Sequence, residues 1–269
     1  MNLLEKEKYC ICYGNNDFTE FMDIIKKYPL VELRLDKCNF TIEQIKEALS
    51  THSKIIITYR SKFLSNEIMD MLIQSINYGA AYIDLYIEWD SKAINTLIKH
   101  ARTNNTNIIL SYHNFIETPA INELVNILRN CEGLAPDIIK IACKANSFKD
   151  TATIISLYTK INYTSPLENK DLKQEIISPL ENKDLKQEII SPLERGLKGC
   201  VINNNKTNKN KYQLIAFSMG ELGKISRLAS LFLGAPFIYT SYEKGKETAD
   251  GQMDIVSLKK IIELLEYGS

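Results

Sequence analysis

The chain has 269 residues, of which 45% are hydrophobic and 25% charged, and its formal net charge at pH 7 is zero. This length and composition suit one large domain or two small ones, and the balanced charge gives no support for a nucleic-acid or membrane-surface partner. The N-terminus shows no apolar signal region and no later run reaches transmembrane length, so a cytoplasmic protein is expected.

Cysteine and histidine usage limits the chemistry further. The six cysteines lie in apolar surroundings and none forms a C-x-x-C pair, while Cys10 and Cys12 would share one face of a strand. Reduced, packed thiols are therefore expected rather than disulfides or a zinc site. The chain has only three histidines, which further weakens a metal-binding interpretation.

Short apolar runs alternate with longer amphipathic stretches along the chain. The short runs predict strands at 9–13, 30–35, 54–59, 81–87, 107–112, 137–142, 212–218 and 236–239. The amphipathic stretches predict helices at 17–27, 41–50, 65–79, 91–103, 119–131, 147–161, 223–233 and 254–267. Helix-start signals are present at Asp17, Thr41, Ser65 and Asp90, and Pro119 fits a first turn.

The order of these elements predicts the fold class. Eight strand-then-helix units indicate an α/β protein with a parallel sheet, and eight is the number that closes a (β/α)8 TIM barrel. A doubly wound open sheet is the runner-up. No G-x-G-x-x-G or Walker-type loop follows a predicted strand, which argues against dinucleotide or ATP binding.

The segment 162–210 interrupts this alternation. Residues 165–177 are repeated letter for letter at 178–190, and a third copy begins at Ser191 before it diverges. Each copy opens with a helix-start signature, but a proline every thirteen residues forbids one continuous helix. We predict a polar surface insertion in a single barrel domain, between the sixth helix and the seventh strand. It should emerge opposite the catalytic loops.

The stretch 137–143 is rich in β-branched residues and reads as a buried parallel strand with one lysine, Lys140, in its middle. A lysine is almost never fully buried without a partner, because desolvation of the ammonium is costly. One solution is a neutral, nucleophilic amine in an apolar pocket, which Schiff-base catalysis requires. The other is a lysine near the strand end whose ammonium reaches water.

Further polar residues lie at or near the carboxyl ends of predicted strands. Glu32, Arg34 and Asp36 share one face of the second strand, either as a mutually paired group in a barrel or as an ion pair on a solvated edge strand. The others are Arg60 after the third strand, Ser111 and His113 on the fifth, Arg227 at a helix start after the seventh, and the loop 248–252. Barrel enzymes keep their chemistry at this end, so the shared position favours functional roles for Lys140 and His113.

These residues resemble the type I 3-dehydroquinate dehydratase family. The matching motifs are Glu32-x-Arg34-x-Asp36, Thr58-Tyr59-Arg60-Ser61, Ser111-x-His113-Asn114-Phe115 with Thr118-Pro119, Asp137-x-x-Lys140-Ile141-Ala142, Ser218-Met219-Gly220-x-x-Gly223-x-x-Ser226-Arg227 and Ala249-x-Gly251-Gln252. They run in the family's order and cover the chain apart from the insertion.

The resemblance implies a (β/α)8 barrel, usually a homodimer, that converts 3-dehydroquinate into 3-dehydroshikimate without metal or organic cofactor. This reaction belongs to the shikimate route to chorismate and the aromatic amino acids. The family's Schiff-base lysine corresponds to Lys140 and its proton-transferring histidine to His113. The family's substrate-binding residues correspond to Glu32, Arg34, Arg60, Arg227, Thr248 and Gln252. His113 would work with a pKa near neutrality, and Arg34 and Arg60 would disfavour a protonated Lys140.

Three positions depart from the family pattern. Leu64 stands where a glutamate is common, Tyr86 where an acid is frequent on strand four, and Asp250 where the closing loop usually has proline. Loss of that proline loosens the loop. These departures concern lid behaviour and substrate affinity more than the chemistry.

Two alternative functions remain open at this point. Another Schiff-base barrel, such as a class I aldolase, would also use Lys140, but Arg227 and the His113 motif argue against it. A non-catalytic barrel could instead use the duplicated insertion as an interaction surface, although such a protein would be expected to lose Lys140, His113 and Arg227 first.

Overall fold

The computed structural model describes residues 8–51, 54–160 and 212–267. The predicted insertion at 162–210, with its tandem repeat, lies outside these residues, as does Cys200. All eight predicted strands and all eight predicted helices are present, each bounded within two residues of its predicted limits. The alternation of periods in the sequence was therefore sufficient to locate the elements.

Strands β1 to β8 are Tyr9–Tyr13, Val31–Arg34, Ile55–Thr58, Tyr82–Tyr86, Asn107–Asn114, Ile138–Lys144, Gln213–Met219 and Ile238–Ser241. Helices α1 to α8 are Phe18–Lys27, Ile42–Thr51, Asn66–Asn77, Ser91–Thr103, Ile121–Glu132, Phe148–Lys160, Lys224–Phe232 and Ile255–Tyr267. A short 3-10 turn, Glu221–Gly223, leads into α7.

The strands form one parallel sheet in the order β7-β6-β5-β4-β3-β2-β1-β8. Seven strands follow sequence order and β8 returns beside β1, which produces a nearly closed (β/α)8 barrel. A doubly wound sheet would reverse its order at a switch point. The barrel prediction is confirmed and the open-sheet alternative is wrong.

Helix starts follow the predicted capping chemistry. The side chains of Asp17, Ser65 and Asp90 accept hydrogen bonds from backbone N–H groups in the first turns of α1, α3 and α4. At the start of α2, Gln44 N donates to Thr41 Oγ1 at 3.3 Å, and Thr41 N donates to Gln44 Oε1 at 2.9 Å. This reciprocal pair is a capping box.

The first-turn position predicted for Pro119 is wrong. Helix α5 begins two residues later at Ile121, and the residue at its cap, Ala120, is extended with φ −58° and ψ 149°. The Thr118 hydroxyl donates to the carbonyl oxygen of Lys144 at 2.8 Å. Pro119 therefore precedes the helix, next to a residue that is tied to β6.

Apolar side chains fill the barrel interior, including Ile56, Ile109, Ile138, Ile215 and Phe237. Five of the cysteines, Cys10, Cys12, Cys38, Cys131 and Cys143, are free and buried. The prediction of packed thiols is therefore confirmed for the described cysteines. Across residues 8–51, 54–160 and 212–267, no helix has the length and apolar character needed to cross a membrane.

Candidate active site

A cavity of about 500 Å³ lies at the carboxyl ends of the strands. All the site residues expected from the sequence line it: Glu32, Arg34, Arg60, His113, Lys140, Arg227, Thr248 and Gln252. They come from four elements, β2, β5, β6 and α7, and from the loops that follow β3 and β8, and the parallel register brings them to the same end of the barrel. This is the end at which barrel enzymes carry out their chemistry.

Lys140 lies deep in this cavity on β6, with Ser111 and Ile215 as its register partners, and it is only 4% exposed. Its Nζ atom is 3.1 Å from Asp84 Oδ2 and 3.7 Å from Glu32 Oε1. The alternative in which the side chain reaches water is therefore wrong. The nearest charges are carboxylates, so the amine is held by ion pairs rather than by apolar burial alone.

Asp84 on β4 is the main residue that sequence reasoning missed. It is fully buried, and its Oδ2 atom is contacted by both Arg60 Nη2 at 2.9 Å and Lys140 Nζ at 3.1 Å. Ser111 Oγ donates to its other oxygen at 2.5 Å. Burial alone would raise the pKa of the Asp84 carboxyl, but Arg60 and Lys140 outweigh burial and hold that pKa well below its ordinary value.

A signal for Asp84 was present in the sequence. The strand Tyr82-Ile83-Asp84-Leu85-Tyr86 alternates, so Asp84 and Tyr86 share a face. The family pattern suggests an acid at position 86 on strand four. This chain has Tyr86 there and carries an acid two residues earlier, at Asp84. An acid at the centre of an otherwise apolar strand is a candidate for a paired, buried charge.

The arginines of β2 and of the loop after β3 have different partners. Arg34 forks onto Asp36, with Nε to Oδ1 at 2.9 Å and Nη2 to Oδ2 at 2.7 Å. The expected pairing therefore holds for these two residues, whereas Glu32 contacts Lys140 and Thr58. Arg60 donates to Ser111 Oγ at 2.7 Å as well as to Asp84. Each guanidinium group is thus paired with a carboxylate at the cavity wall.

His113 lies at the cavity wall on β5, paired in register with Ala142. Its ring stacks on Phe115 with centroids 5.9 Å apart and meets the Tyr86 ring edge-on at 6.1 Å. Burial, then the charges of Arg60 and Lys140, lower the pKa of His113 well below its ordinary value. This direction lies below the near-neutral pKa that the resemblance implies, and it favours the neutral imidazole, the form that can accept a proton.

Arg227 on α7 is 2% exposed, and its guanidinium carbon lies 4.1 Å from the centre of the Phe217 ring. Nη2 donates to the Asp250 carbonyl oxygen at 2.9 Å, whereas Nε is buried without a hydrogen-bond partner among the described residues. Burial lowers the pKa of Arg227 to about 10. A cation with a spare buried donor at the cavity wall is suited to a bound anion.

The segment that carries Arg227 needs glycine and serine for close packing. A Cβ atom on Gly223 would lie 2.4 Å from the carbonyl oxygen of Ser218, so no larger residue fits there. Ser226 Oγ accepts from Ser218 N at 2.7 Å and donates to the Gly223 carbonyl oxygen at 2.6 Å. These contacts fix the start of α7 against the end of β7 and thereby position Arg227.

The loop between β8 and α8 contributes its polar residues to the cavity. Gln252 is 5% exposed, and its Oε1 atom accepts from Thr248 N at 2.8 Å. Arg34 Nη1 donates to the Thr248 carbonyl oxygen at 3.3 Å. Gly251, at φ +72°, lies so close to Gly220 that a Cβ would come within 2.5 Å of its carbonyl oxygen. The loop is therefore docked on the barrel by backbone contacts.

The three departures from the family pattern are placed differently. Tyr86 lines the cavity and its hydroxyl donates to the carbonyl oxygen of His113 at 3.3 Å. Asp250 also lines it, with Oδ2 3.9 Å from Lys144 Nζ. Leu64 is half-buried outside the described cavity lining.

In the described part of the chain, no group of three or more His, Cys, Asp or Glu side chains could hold a metal ion.

A parallel eight-stranded barrel with a buried, ion-paired lysine at the carboxyl ends of its strands places the molecule among the (β/α)8-barrel enzymes. Residues 9–168 and 200–269 match the model of one family, Type I 3-dehydroquinase. The chain belongs to that family. This match favours the dehydratase interpretation over the aldolase-like alternative.

Individual relatives agree with this assignment. The 3-dehydroquinate dehydratase of Methanococcus maripaludis strain C5 is 28% identical over 269 residues, which cover 96% of this chain and 99% of that protein. The 3-dehydroquinate dehydratase of Pyrococcus abyssi is 29% identical over 247 residues, which cover 89% of this chain and 88% of that protein. Two crystal structures share the fold. That of the Clostridium difficile enzyme has a TM-score of 0.69 and 18% identity, and the match covers 98% of this chain and 93% of that one. That of the Aquifex aeolicus enzyme has a TM-score of 0.65 and 23% identity, and the match covers 96% of this chain and 97% of that one.

Proposed function

We propose that this chain is a hydro-lyase that converts 3-dehydroquinate into 3-dehydroshikimate in the shikimate pathway. The observation that carries the proposal is the convergence of the Lys140 amine, the His113 imidazole and the Arg227 guanidinium on one cavity. The family match and the names of the relatives support the same reaction.

The reaction begins at Lys140. The Lys140 ammonium gives one proton to the neutral His113 imidazole, and the resulting amine attacks the C3 ketone of the substrate. The carbinolamine hydroxyl takes that proton back and leaves as water, which gives the positively charged iminium. The iminium withdraws electrons from the adjacent carbon and makes the C2 hydrogen acidic. Asp84 and Glu32 on β4 and β2 hold the lysine nitrogen at the cavity wall, where it meets the ketone.

His113 moves the proton in the second stage. The neutral imidazole removes the C2 proton, and the resulting enamine expels the C1 hydroxyl, which leaves as water after His113 returns a proton to it. Hydrolysis of the conjugated iminium then releases product and restores the amine. One water is lost on imine formation and one is consumed in hydrolysis, so the net product is the single water of the dehydration.

Arg227 binds the substrate carboxylate, because its guanidinium faces the cavity with a buried, unpartnered Nε among the described contacts. Glu32, Arg34 and Arg60 present charged groups to the ring hydroxyls, and Thr248 and Gln252 cover the substrate from the loop. Fixing the ring in this way aligns C3 with Lys140 and C2 with His113.

Borohydride reduction in the presence of 3-dehydroquinate tests this function. The expected result is a stable adduct, and peptide mass mapping should place it on Lys140. The cavity contains a second lysine on the same strand, Lys144, which serves as an internal comparison. Turnover without any adduct, or an adduct on Lys144 alone, would refute the Schiff-base assignment.

Substitution of Arg227 by lysine should raise KM for 3-dehydroquinate by roughly 10- to 100-fold, because the cation remains but the two-point hydrogen bonding to a carboxylate is lost. The effect on kcat should be smaller. Steady-state kinetics measures both. A variant with unchanged KM and strongly reduced kcat would show that Arg227 does not anchor the carboxylate.

We also propose that 162–210 is a surface insertion in a single-domain barrel. Deletion of residues 165–190, the two identical repeats, should leave kcat/KM and the thermal midpoint nearly unchanged, because long surface loops contribute little to stability. Activity assays and calorimetry on the deleted and full-length chains provide the comparison. A large loss of either property would show that the repeats support the barrel.

The proposed assembly is a cytoplasmic homodimer that binds its small-molecule substrate and neither nucleic acid nor membrane. Its support is the resemblance to a family whose members are usually homodimers. Sedimentation velocity should give a mass twice that of the chain. A monomer at micromolar concentration would contradict the dimer.

A further inference from the structure

Tyr239 on β8 makes a contact with the reacting nitrogen that the mechanism above does not use. Its ring is 4% exposed and lines the cavity, and Lys140 Nζ lies 3.8 Å from the ring centroid. The ring is fixed from behind by Phe237, whose centroid is 5.4 Å away at an interplanar angle of 74°. The aromatic face is thus held in place against the amine.

Three groups now surround the nitrogen of Lys140: the carboxylates of Asp84 and Glu32 and the ring of Tyr239. All three favour a positive charge at this point. The three contacts differ in whether they need an N–H group on the lysine nitrogen. An ammonium carries three N–H donors, whereas an iminium carries one, so two carboxylate contacts cannot both survive imine formation. A cation–π contact needs no N–H group and persists.

The hydroxyl of Tyr239 does not explain the presence of the residue. It is buried without a hydrogen-bond partner among the described residues. Burial, together with the charges of Glu32 and Asp84, raises the pKa of Tyr239 well above its ordinary value, so the group stays protonated and supplies no base. The functional part of this side chain is therefore its ring.

We propose that Tyr239 is a further catalytic residue, whose ring face stabilises the positively charged iminium on Lys140. This inference rests on the proposed Schiff-base function and adds one residue to it. While the lysine is an ammonium, the ring and the Asp84 carboxylate both stabilise its positive charge. Once the ketone is bound covalently, the ring is the contact that does not depend on the lost protons.

The test compares Tyr239→Phe with Tyr239→Leu. The phenylalanine variant keeps the ring and should retain kcat/KM and the fraction of enzyme trapped by borohydride at saturating substrate. The leucine variant should lose roughly 10- to 30-fold in kcat/KM and show a smaller trapped fraction. Phe21→Leu is the matched control, because it removes a buried aromatic ring that neither lines the cavity nor contacts Tyr239 in the described structure.

A graded series keeps the test decisive if the leucine variant folds poorly. Phenylalanine with one, two or three ring fluorines at position 239 preserves size while weakening the negative ring face, so the trapped fraction and kcat should fall stepwise. Two results would overturn the role of the ring: no change along the fluorinated series, or equal losses in Tyr239→Leu and Phe21→Leu with an unchanged trapped fraction. A wild-type enzyme with no Lys140 adduct would instead refute the proposed function itself.

Discussion

Replacement of Lys140 by methionine is expected to lower kcat by about 10⁴-fold or more and to remove the borohydride-trapped adduct, because covalent activation of the ketone requires this amine. Methionine has a similar length but no nitrogen. Product formation measured at high enzyme concentration gives the residual rate, and intact-mass analysis after reduction reports the adduct.

Lys140→Arg is the control for this experiment. Arginine keeps a cation opposite Asp84, so the ion pair that now spans 3.1 Å can be preserved, but a guanidinium does not form an imine. The arginine variant should fold with a thermal midpoint near that of the wild type and remain inactive. Turnover within about tenfold of the wild type in either variant would contradict a covalent role for Lys140.

Asp84→Asn is expected to lower the free energy of unfolding by about 3 kcal/mol or more, since removing one member of a buried ion group leaves the others uncompensated. Arg60 and Lys140 both contact the same oxygen, at 2.9 and 3.1 Å, and an amide cannot neutralise them. The thermal midpoint should fall by roughly 6 to 12 °C for a domain of this size. Calorimetry and urea unfolding measure both quantities.

The pH dependence of stability follows from the same carboxyl. The folded state holds the pKa of Asp84 below its unfolded value of about 3.9, so its stabilising contribution is fully present above that pH. The contribution is lost as the pH falls below about 3.9 toward the folded pKa. Asp84→Asn should therefore flatten the acid limb of the stability curve in this window.

Asp23→Asn provides the matched control for the stability measurement. Asp23 also forms an ion pair, with Lys26 at 3.3 Å, but their side chains are 71% and 69% exposed. Exposed pairs contribute about 0–1 kcal/mol, so this variant should be close to wild type. If the two aspartates gave equal losses, burial of the Asp84 group would not be the reason for its effect.

Local sequence was informative where the relevant physics is local. Helix starts at Asp17, Ser65 and Asp90 follow from side chains that cap the adjoining backbone, and strand positions follow from apolar periodicity. Pro119 shows the limit of such rules. Helix α5 starts two residues after it, and the neighbouring Thr118 bonds to Lys144, 26 residues away, a contact that no local pattern contains.

The sequence by itself determined the eightfold β-α alternation, the barrel class, and the placement of Lys140, His113 and Arg227 at one end of the sheet. It could do so because the carboxyl ends of parallel strands necessarily meet. Only the tertiary structure decided which groups surround the lysine nitrogen. Asp84 and Tyr239 reach it from β4 and β8, at distances set by strand register and barrel curvature, which depend on the packing of the whole sheet.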